Sequence, residues 1–121
     1  MKNDFSFQNG KKIAVQQRSI IYWCEIEKIV YLKCDCYLTS LILSSGEKIT
    51  VSRLLKNFEV ELENFGFVRA NRSFLINMAH VKRFLGGTKR IVELTNGEVI
   101  CVSRRNVFKF KDYLLFNQKC L

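Results

Sequence analysis

The chain contains no proline and a single histidine among its 121 residues. Proline cannot donate a backbone hydrogen bond, so its absence is compatible with many paired strands. The histidine, His80, stands at the end of an apolar segment, where a structural or surface role is the default. The sequence also shows no carboxylate pair, nucleophile motif or phosphate-binding glycine loop. We therefore expect the protein not to be an enzyme.

Long apolar runs are missing as well. No segment approaches the roughly 18–20 apolar residues that a membrane span requires, and residues 1–12 lack the apolar core of a signal peptide. These absences predict a cytoplasmic protein without membrane insertion.

Cysteine occurs five times, an odd number that argues against a secreted disulfide framework. Cys34 and Cys36 would lie on one face of a strand. A metal site needs two further ligands, so we interpret the cysteines as small core residues and expect no metal or cofactor.

Positive charge is abundant and unevenly distributed. Of the formal net charge of +9, residues 66–111 contribute +8 through ten cations and two anions, whereas residues 21–65 hold five cations and seven anions. Such a concentrated basic segment is typical of proteins that meet nucleic acid or an anionic membrane. Nucleic acid is favoured, because no basic amphipathic helix of the membrane-surface kind is present.

Turn signals divide the chain, which is long enough for one domain, into β-hairpins. Phe5 and Phe7 alternate before Asn9-Gly10, and Ile13 and Val15 alternate after it, which predicts a first hairpin. Residues 20–33 predict a strand that breaks near residues 27–28. Further predicted strands cover residues 37–43, 48–51, 68–76, 81–85, 90–95 and 99–102.

Two short helices complete a mainly β prediction. Ser52 can cap the first, which runs to about Asn64 and ends at Gly66. Its predicted apolar arc consists of Leu54, Leu55, Phe58, Leu62 and Phe65, and Val60 is the exception. Ser103 can cap a second helix, in which Val107, Phe110 and Leu114 line up.

A strand, a glycine turn, a second strand and a basic helix start occur twice. LSSGEKITVSRL from Leu43 matches LTNGEVICVSRR from Leu94 at the Leu, Gly-Glu, Ile and Val-Ser-Arg. Arg53, Arg104 and Arg105 thus each follow a predicted N-cap serine, where a cation costs about 0.3–1 kcal/mol relative to an acidic residue. An anion in front of each helix would favour this arrangement. The alternative is that the arginines extend into water.

Arg69 and Arg72 stand three residues apart on one predicted strand, so one is expected to face the sheet and the other the solvent. Arg72 is the better ligand candidate, because Asn71 and Ser73 beside it supply further hydrogen-bond donors. A guanidinium group can bind guanine N7 and O6 together, and Asn can do the same for adenine. Alternatively, Arg72 pairs with a carboxylate of residues 59–63.

These segments resemble the LytTR-type DNA-binding domain of bacterial transcription regulators. The resemblance rests on FGFVRANRSFLINMAHVKRF followed by VELTNGEVICVSRRN, and upstream on EIEKIVYLKC and CYLTSLILSSGEKIT. It covers roughly residues 12–115, which we interpret as a domain at 12–116 with a lead at 1–11 and a tail at 117–121. It implies an elongated, mainly β arrangement of antiparallel hairpins with one or two short helices, whose loops enter the DNA grooves.

The resemblance implies DNA contacts in three places. The residues concerned are Lys33, Asp35 and Tyr37 around the first turn, Asn71 with Arg72, and Arg104 with Arg105. Family members commonly have His where Asn71 stands and an acidic residue where Lys33 stands, and the first loop is a residue shorter here. Most members also carry a receiver domain, for which the dozen residues ahead of the module leave no room, so we expect a stand-alone regulator.

The partners implied are double-stranded DNA, a second copy of the chain on repeated sites and a regulatory protein. Two alternatives stay open. A β-rich RNA-binding module would present solvent-facing aromatic side chains on a sheet, for which Tyr37 and Phe108 are candidates. A protein-interaction module would bind an acidic partner through its basic face.

Overall fold

The computed structural model describes residues 11–116, and the predicted first strand at Phe5 and Phe7 lies outside them. The strands are β1 (Lys12–Gln17), β2 (Ile20–Glu25), β3 (Ile29–Asp35), β4 (Leu38–Leu43), β5 (Lys48–Val51), β6 (Phe67–Asn71), β7 (Phe74–Asn77), β8 (Val81–Leu85), β9 (Ile91–Leu94) and β10 (Val99–Cys101). Two α-helices follow β5 and β10, α1 (Leu55–Leu62) and α2 (Val107–Phe116). Strands account for 47% of the described residues, which confirms the mainly β prediction.

Five strands form a central antiparallel sheet in the order β5-β4-β3-β7-β6. A ribbon of β1 and β2 and a three-stranded sheet of β10, β9 and β8 complete the described part of the chain. One apolar cluster joins the central sheet to the ribbon and α1, and a second joins it to the three-stranded sheet and α2. The central sheet is therefore covered on both faces.

Strand β3 shows this double burial most clearly, because its residues from Ile29 to Leu32 are all buried. Ile29 and Leu32 belong to the first cluster, and Val30 and Tyr31 belong to the second. Neighbouring residues share a face because the register shifts between Ile29 and Tyr31, where a bulge interrupts strict alternation. A fully buried strand reads as a continuous apolar run, which is how this segment reads in the sequence.

The internal repeat corresponds to two hairpins with the same turn. In β4–β5 the amide of Leu43 donates to Glu47 at 2.9 Å, and in β9–β10 the amide of Leu94 donates to Glu98 at 2.8 Å. Gly46 and Gly97 have φ values of 95° and 93°, which residues with a side chain rarely adopt. The predicted strand–turn–strand repeat is thus confirmed.

The single strand predicted over residues 68–76 is wrong. The chain reverses at Arg72 and Ser73, so that β6 and β7 pair as a hairpin. The side-chain oxygen of Asn71 accepts hydrogen bonds from the amides of Ser73 and Phe74, at 2.8 and 3.2 Å. Asn commonly closes turns in this way, and the polar residues Asn71, Arg72 and Ser73 mark the reversal that the single predicted strand passed over.

The first helix is shorter than predicted and is not capped by Ser52. Its N-cap is Leu54, whose extended backbone makes no side-chain cap hydrogen bond. Leu55, Phe58 and Leu62 are buried as predicted and Val60 is exposed, whereas Leu54 and Phe65 are 53% and 41% exposed because they lie outside the helix. The α-helix ends at Leu62, a 3-10 turn continues to Phe65, and Gly66 ends the helical segment as predicted, with a left-handed φ of 84°.

The second helix packs as predicted. Phe110 is fully buried, and Val107 and Leu114 pack against the second cluster. Ser103 precedes a 3-10 turn over Arg104–Asn106, but its side chain makes no cap hydrogen bond. Ser103 therefore occupies the predicted cap position without a side-chain hydrogen bond, whereas the predicted cap at Ser52 is wrong.

The prediction that the cysteines are small core residues is only partly correct. Cys24 is buried in the first cluster, whereas Cys36 and Cys101 are exposed and all described cysteines are free. Cys34 lies on β3 and Cys36 in the following turn, so the two do not share a strand face as predicted. Within residues 11–116, no three metal-binding side chains are grouped so that they could hold an ion.

Replacement of Phe58 by Ala should destabilise the fold. Phe58 is fully buried in the first cluster, and such a truncation costs about 3–5 kcal/mol through lost burial and the cavity left behind. Val60→Ala is the matched control, because Val60 lies on the same helix and is 67% exposed. Chemical denaturation measures both, and equal unfolding free energies for the two variants would contradict the docking of α1.

Candidate nucleic-acid interface

Two turns meet at one end of the central sheet because β3 pairs with β7. The register places Lys33 opposite Phe74, so the turn after β3 and the turn before β7 are neighbours. The amide of Cys34 donates to the carbonyl of Ser73 at 2.9 Å, and the thiol of Cys34 lies 3.6 Å from the carbonyl of Arg72. The first and second predicted contact regions are thus adjacent.

The third predicted region joins them through β6. The carbonyl of Ala70 accepts hydrogen bonds from the amide of Ser103 at 2.8 Å and from the side chain of Asn106 at 3.2 Å. Those two residues flank Arg104 and Arg105. The arginine pair therefore lies beside the β6–β7 turn, although it is about thirty residues away in the chain.

Asn71 holds the second region to the third. Besides its two turn hydrogen bonds, its side-chain amide donates to the carbonyl of Cys101 at 2.7 Å. Three of the four hydrogen-bonding positions of this amide are therefore occupied within the chain. Arg72, by contrast, is exposed at the tip of the turn.

A concavity of about 470 Å³ lies between the second and third regions. Side chains with hydrogen-bonding groups line it, among them Lys56, Arg69, Asn71, Arg72, Ser103 and Arg105. The hydroxyl oxygen of Ser103 is buried without a hydrogen-bond partner. The concavity is cationic, since Glu59 is its one acidic lining residue against four cations.

The arginines divide into paired and unpaired sets. Arg53 pairs with Glu61, Arg69 with Glu59 at 3.1 Å, and Arg83 with Glu93 at 2.6 Å. The hydrogen bond from Arg83 holds the pKa of Glu93 below its ordinary value.

Arg72, Arg104 and Arg105 belong to none of the ion pairs that the described residues form. The alternative that Arg72 pairs with a carboxylate of residues 59–63 is therefore wrong. Glu59 and Glu61 pair with Arg69 and Arg53, and Arg72 forms no ion pair with Glu63. The guanidinium of Arg53 is engaged within the chain, since it pairs with Glu61 and stacks on Phe58 with 4.1 Å to the ring centroid.

The first region is a two-residue turn at Cys36 and Tyr37, with Asp35 opposite Leu38. Cys36 has a φ of 60°, a strained value for a residue with a side chain. Asp35 is exposed, and Tyr37 is 80% exposed. Lys33 extends from β3 over the ring of Phe74, 5.8 Å from its centroid.

His80 lies away from these regions and serves a structural role. Its Nε2 is 2.8 Å from the carbonyl of Glu27, and its Nδ1 is 3.4 Å from the hydroxyl of Thr95. The side chain thereby links the 3-10 turn before β3 to the turn after β9.

Comparisons with known proteins bear on the family and the fold of this chain. Residues 19–115 match the family model described as the LytTr DNA-binding domain. The chain belongs to the LytTR DNA-binding domain family. Its fold is similar to the LytTr DNA-binding domain of a Bacillus cereus chain described as a methyl-accepting/DNA response regulator, with a TM-score of 0.69 and 22% identity over 87% of this chain and 96% of that one. No curated protein shows significant sequence similarity.

Two broader predictions concern enzymatic activity and membrane insertion. A family of DNA-binding domains points to a protein that is not an enzyme. None of the helices in residues 11–116 is long and apolar enough to span a bilayer.

The structure brings most of the sequence-predicted residues of this LytTR domain to one end. Asn71, Arg72 and Arg105 line the same concavity, whereas Arg104 lies on the turn beside it. Sequence reasoning missed the contribution of Lys56, whose helix reaches the concavity only through tertiary packing. It also missed the contact between Cys34 and Arg72, since residues so far apart in sequence leave no local signal.

Replacement of Asn71 by Ala should lower stability by about 1–3 kcal/mol, because three hydrogen bonds are lost and the backbone groups of Ser73, Phe74 and Cys101 are left without this partner. Arg72→Ala, one residue along, should change stability by less than about 0.5 kcal/mol, as expected for an exposed side chain. Thermal and chemical unfolding measure both. A larger loss for Arg72→Ala than for Asn71→Ala would contradict the assigned hydrogen bonds.

Proposed function

We propose that this chain binds double-stranded DNA at specific sequences and acts in transcription regulation. The observation that carries the proposal is the convergence of Arg72 and Arg105, neither of them in an ion pair, on one cationic concavity. Guanidinium groups that are free of internal carboxylates can bind phosphate or the edge of a guanine. Membership of a DNA-binding family supports the same conclusion.

We infer different roles for the residues at this end. Arg72 and Arg105 read base edges, and Arg104 contacts the phosphate backbone beside them. Asn71 supports the turn, because most of its hydrogen-bonding capacity is already occupied. Tyr37 and Asp35 on the neighbouring turn, with Lys33 behind them, extend the contact along the duplex. Asp35 is disfavoured near phosphate and suits a cytosine amino group.

Presentation of arginines from turns distinguishes this interface from a recognition helix. Backbone hydrogen bonds to neighbouring strands hold both turns, so the side chains are offered from a rigid base. Two copies bound at repeated sites would add their contacts, and a regulatory protein could control access. The selection of bound duplexes from a random pool tests specificity directly and would identify the preferred site.

The affinity for duplex DNA should fall steeply with salt. Each neutralised phosphate contributes about −0.9 to the slope of log K against log salt, so a protein that contacts several phosphates shows a slope of several units. Fluorescence anisotropy over a range of salt concentrations measures the slope. Single-stranded RNA and an acidic protein serve as competitors, and a slope near zero or a preference for either competitor would contradict the proposal.

The matched pair Arg104→Ala and Arg105→Ala separates base reading from charge. Both variants lose one exposed cation from the same turn, but only Arg105 lines the concavity. Arg105→Ala should cost about 1–3 kcal/mol on the selected site and relax its preference at particular base pairs, and Arg72→Ala should do the same. Arg104→Ala, Lys89→Ala and Lys109→Ala should weaken all duplexes alike and reduce the salt slope.

Arg72→Lys tests the geometry of the guanidinium group rather than its charge. An ammonium group keeps the charge but lacks the planar arrangement of paired donors. Discrimination between duplexes should therefore suffer more than affinity for unrelated DNA. Binding assays on the selected and scrambled duplexes measure both quantities. Wild-type discrimination by Arg72→Ala and Arg105→Ala would refute the assignment even if the protein bound DNA.

A further inference from the structure

Arg69 stands next to the turn that carries Arg72, and none of the proposed DNA contacts uses it. Its Nη1 donates to the carbonyl of Arg72 at 3.0 Å and reaches the carbonyl of Asn71 at 3.4 Å. Its Nε lies 3.1 Å from Oε1 of Glu59 on α1. The two side chains are 22% and 31% exposed, so both are held mostly within the fold.

We propose that Arg69 and Glu59 form a clamp that positions Arg72 for base recognition, a role that rests on the proposed DNA binding. Two successive carbonyls directed at one guanidinium fix the backbone at the point where the Arg72 side chain departs. Hydrogen bonds from a charged donor are roughly twice as strong as those between neutral groups. A turn that is already ordered loses less conformational freedom when DNA binds.

Glu59 makes Arg69 a positioning residue rather than a DNA ligand. Its carboxylate neutralises the guanidinium and would oppose a phosphate beside it. Nη1 is directed at two internal carbonyls and Nε lies against Glu59, so two of the three guanidinium nitrogens face oxygens of the chain itself. The clamp thereby links the docking of α1 to the geometry of the β6–β7 turn.

The neighbouring pair of Arg53 and Glu61 provides a matched control. Glu61 also lies on α1 and also pairs with an arginine, but the contacts of that arginine are with Thr39, Phe58 and Glu61 rather than with the β6–β7 turn. Glu59→Gln and Glu61→Gln each remove one negative charge from the same helix. Electrostatics alone predicts that both variants bind every duplex somewhat more tightly.

The proposed clamp predicts that Glu59→Gln and Glu61→Gln differ in how well they discriminate between duplexes. The probes are the duplex that the wild-type protein selects from a random pool and a scrambled duplex of the same length. For Glu59→Gln the ratio of the two affinities should fall by about tenfold, as expected when a charge-assisted contact is weakened. For Glu61→Gln the ratio should stay at the wild-type value. Arg69→Lys should lower the ratio without loss of affinity for the scrambled duplex. Lysine keeps the positive charge but lacks the planar guanidinium group that can donate to two carbonyls.

Amide hydrogen exchange in the free protein supplies a readout without DNA. The amides of Ser73 and Phe74 close the turn on Asn71 and should exchange faster in Glu59→Gln and Arg69→Lys but not in Glu61→Gln. Equal affinity ratios for Glu59→Gln and Glu61→Gln would overturn the proposal, as would unchanged exchange at both amides. If the wild-type protein bound neither duplex, the proposed function and the recognition role would both fail, and the exchange rates would still decide whether the clamp holds the turn.

Discussion

The pairing of β3 with β7 is the constraint on which the rest of this structure depends. Both strands are central in the sheet, and β3 is buried on both faces between two apolar clusters. A shift of one residue in their register would turn apolar side chains of one face toward the other. The register that satisfies both clusters also places the turn after β3 beside the turn before β7. Core packing thus determines the position of the candidate DNA-binding turns.

A second junction brings in the arginine pair. One carbonyl, that of Ala70, receives hydrogen bonds from both sides of Arg104 and Arg105, and the side chain of Asn71 reaches back to Cys101. Ala70 is itself fully buried and belongs to the second cluster, whereas the hydrogen bond from Asn71 to Cys101 is exposed. Arg105 and Arg72 approach each other because a buried strand connects them. In the proposed function, the basic side chains are carried by short turns on a rigid sheet.

The ion pairs decide which arginines near the candidate DNA-binding turns keep an unpaired positive charge. The acidic residues Glu59 and Glu61 of α1 pair with Arg69 and Arg53, whose charges are then neutralised within the chain. Surface ion pairs of this kind contribute only about 0–1 kcal/mol to stability, so their main consequence lies in which arginines remain available. The positive field is left to residues on the turns and on the segment after β10. Because some arginines are paired and others are not, the unpaired positive charge is concentrated on one surface.

The sequence by itself determined the mainly β fold, the paired glycine hairpins, the apolar faces of both helices and the family motifs. These features depend on local periodicity and turn chemistry, which a few neighbouring residues specify. Sequence reasoning misplaced the cap of the first helix at Ser52 and missed the reversal at Arg72, because a two-residue turn inside a strand-like segment leaves only a short local signal. Only the tertiary structure decided which carboxylates pair with which arginines, and that Asn71, Arg72 and Arg105 share one concavity. Contacts between residues 30 or more positions apart, such as Asn71 with Cys101, depend on strand register, which no local pattern records.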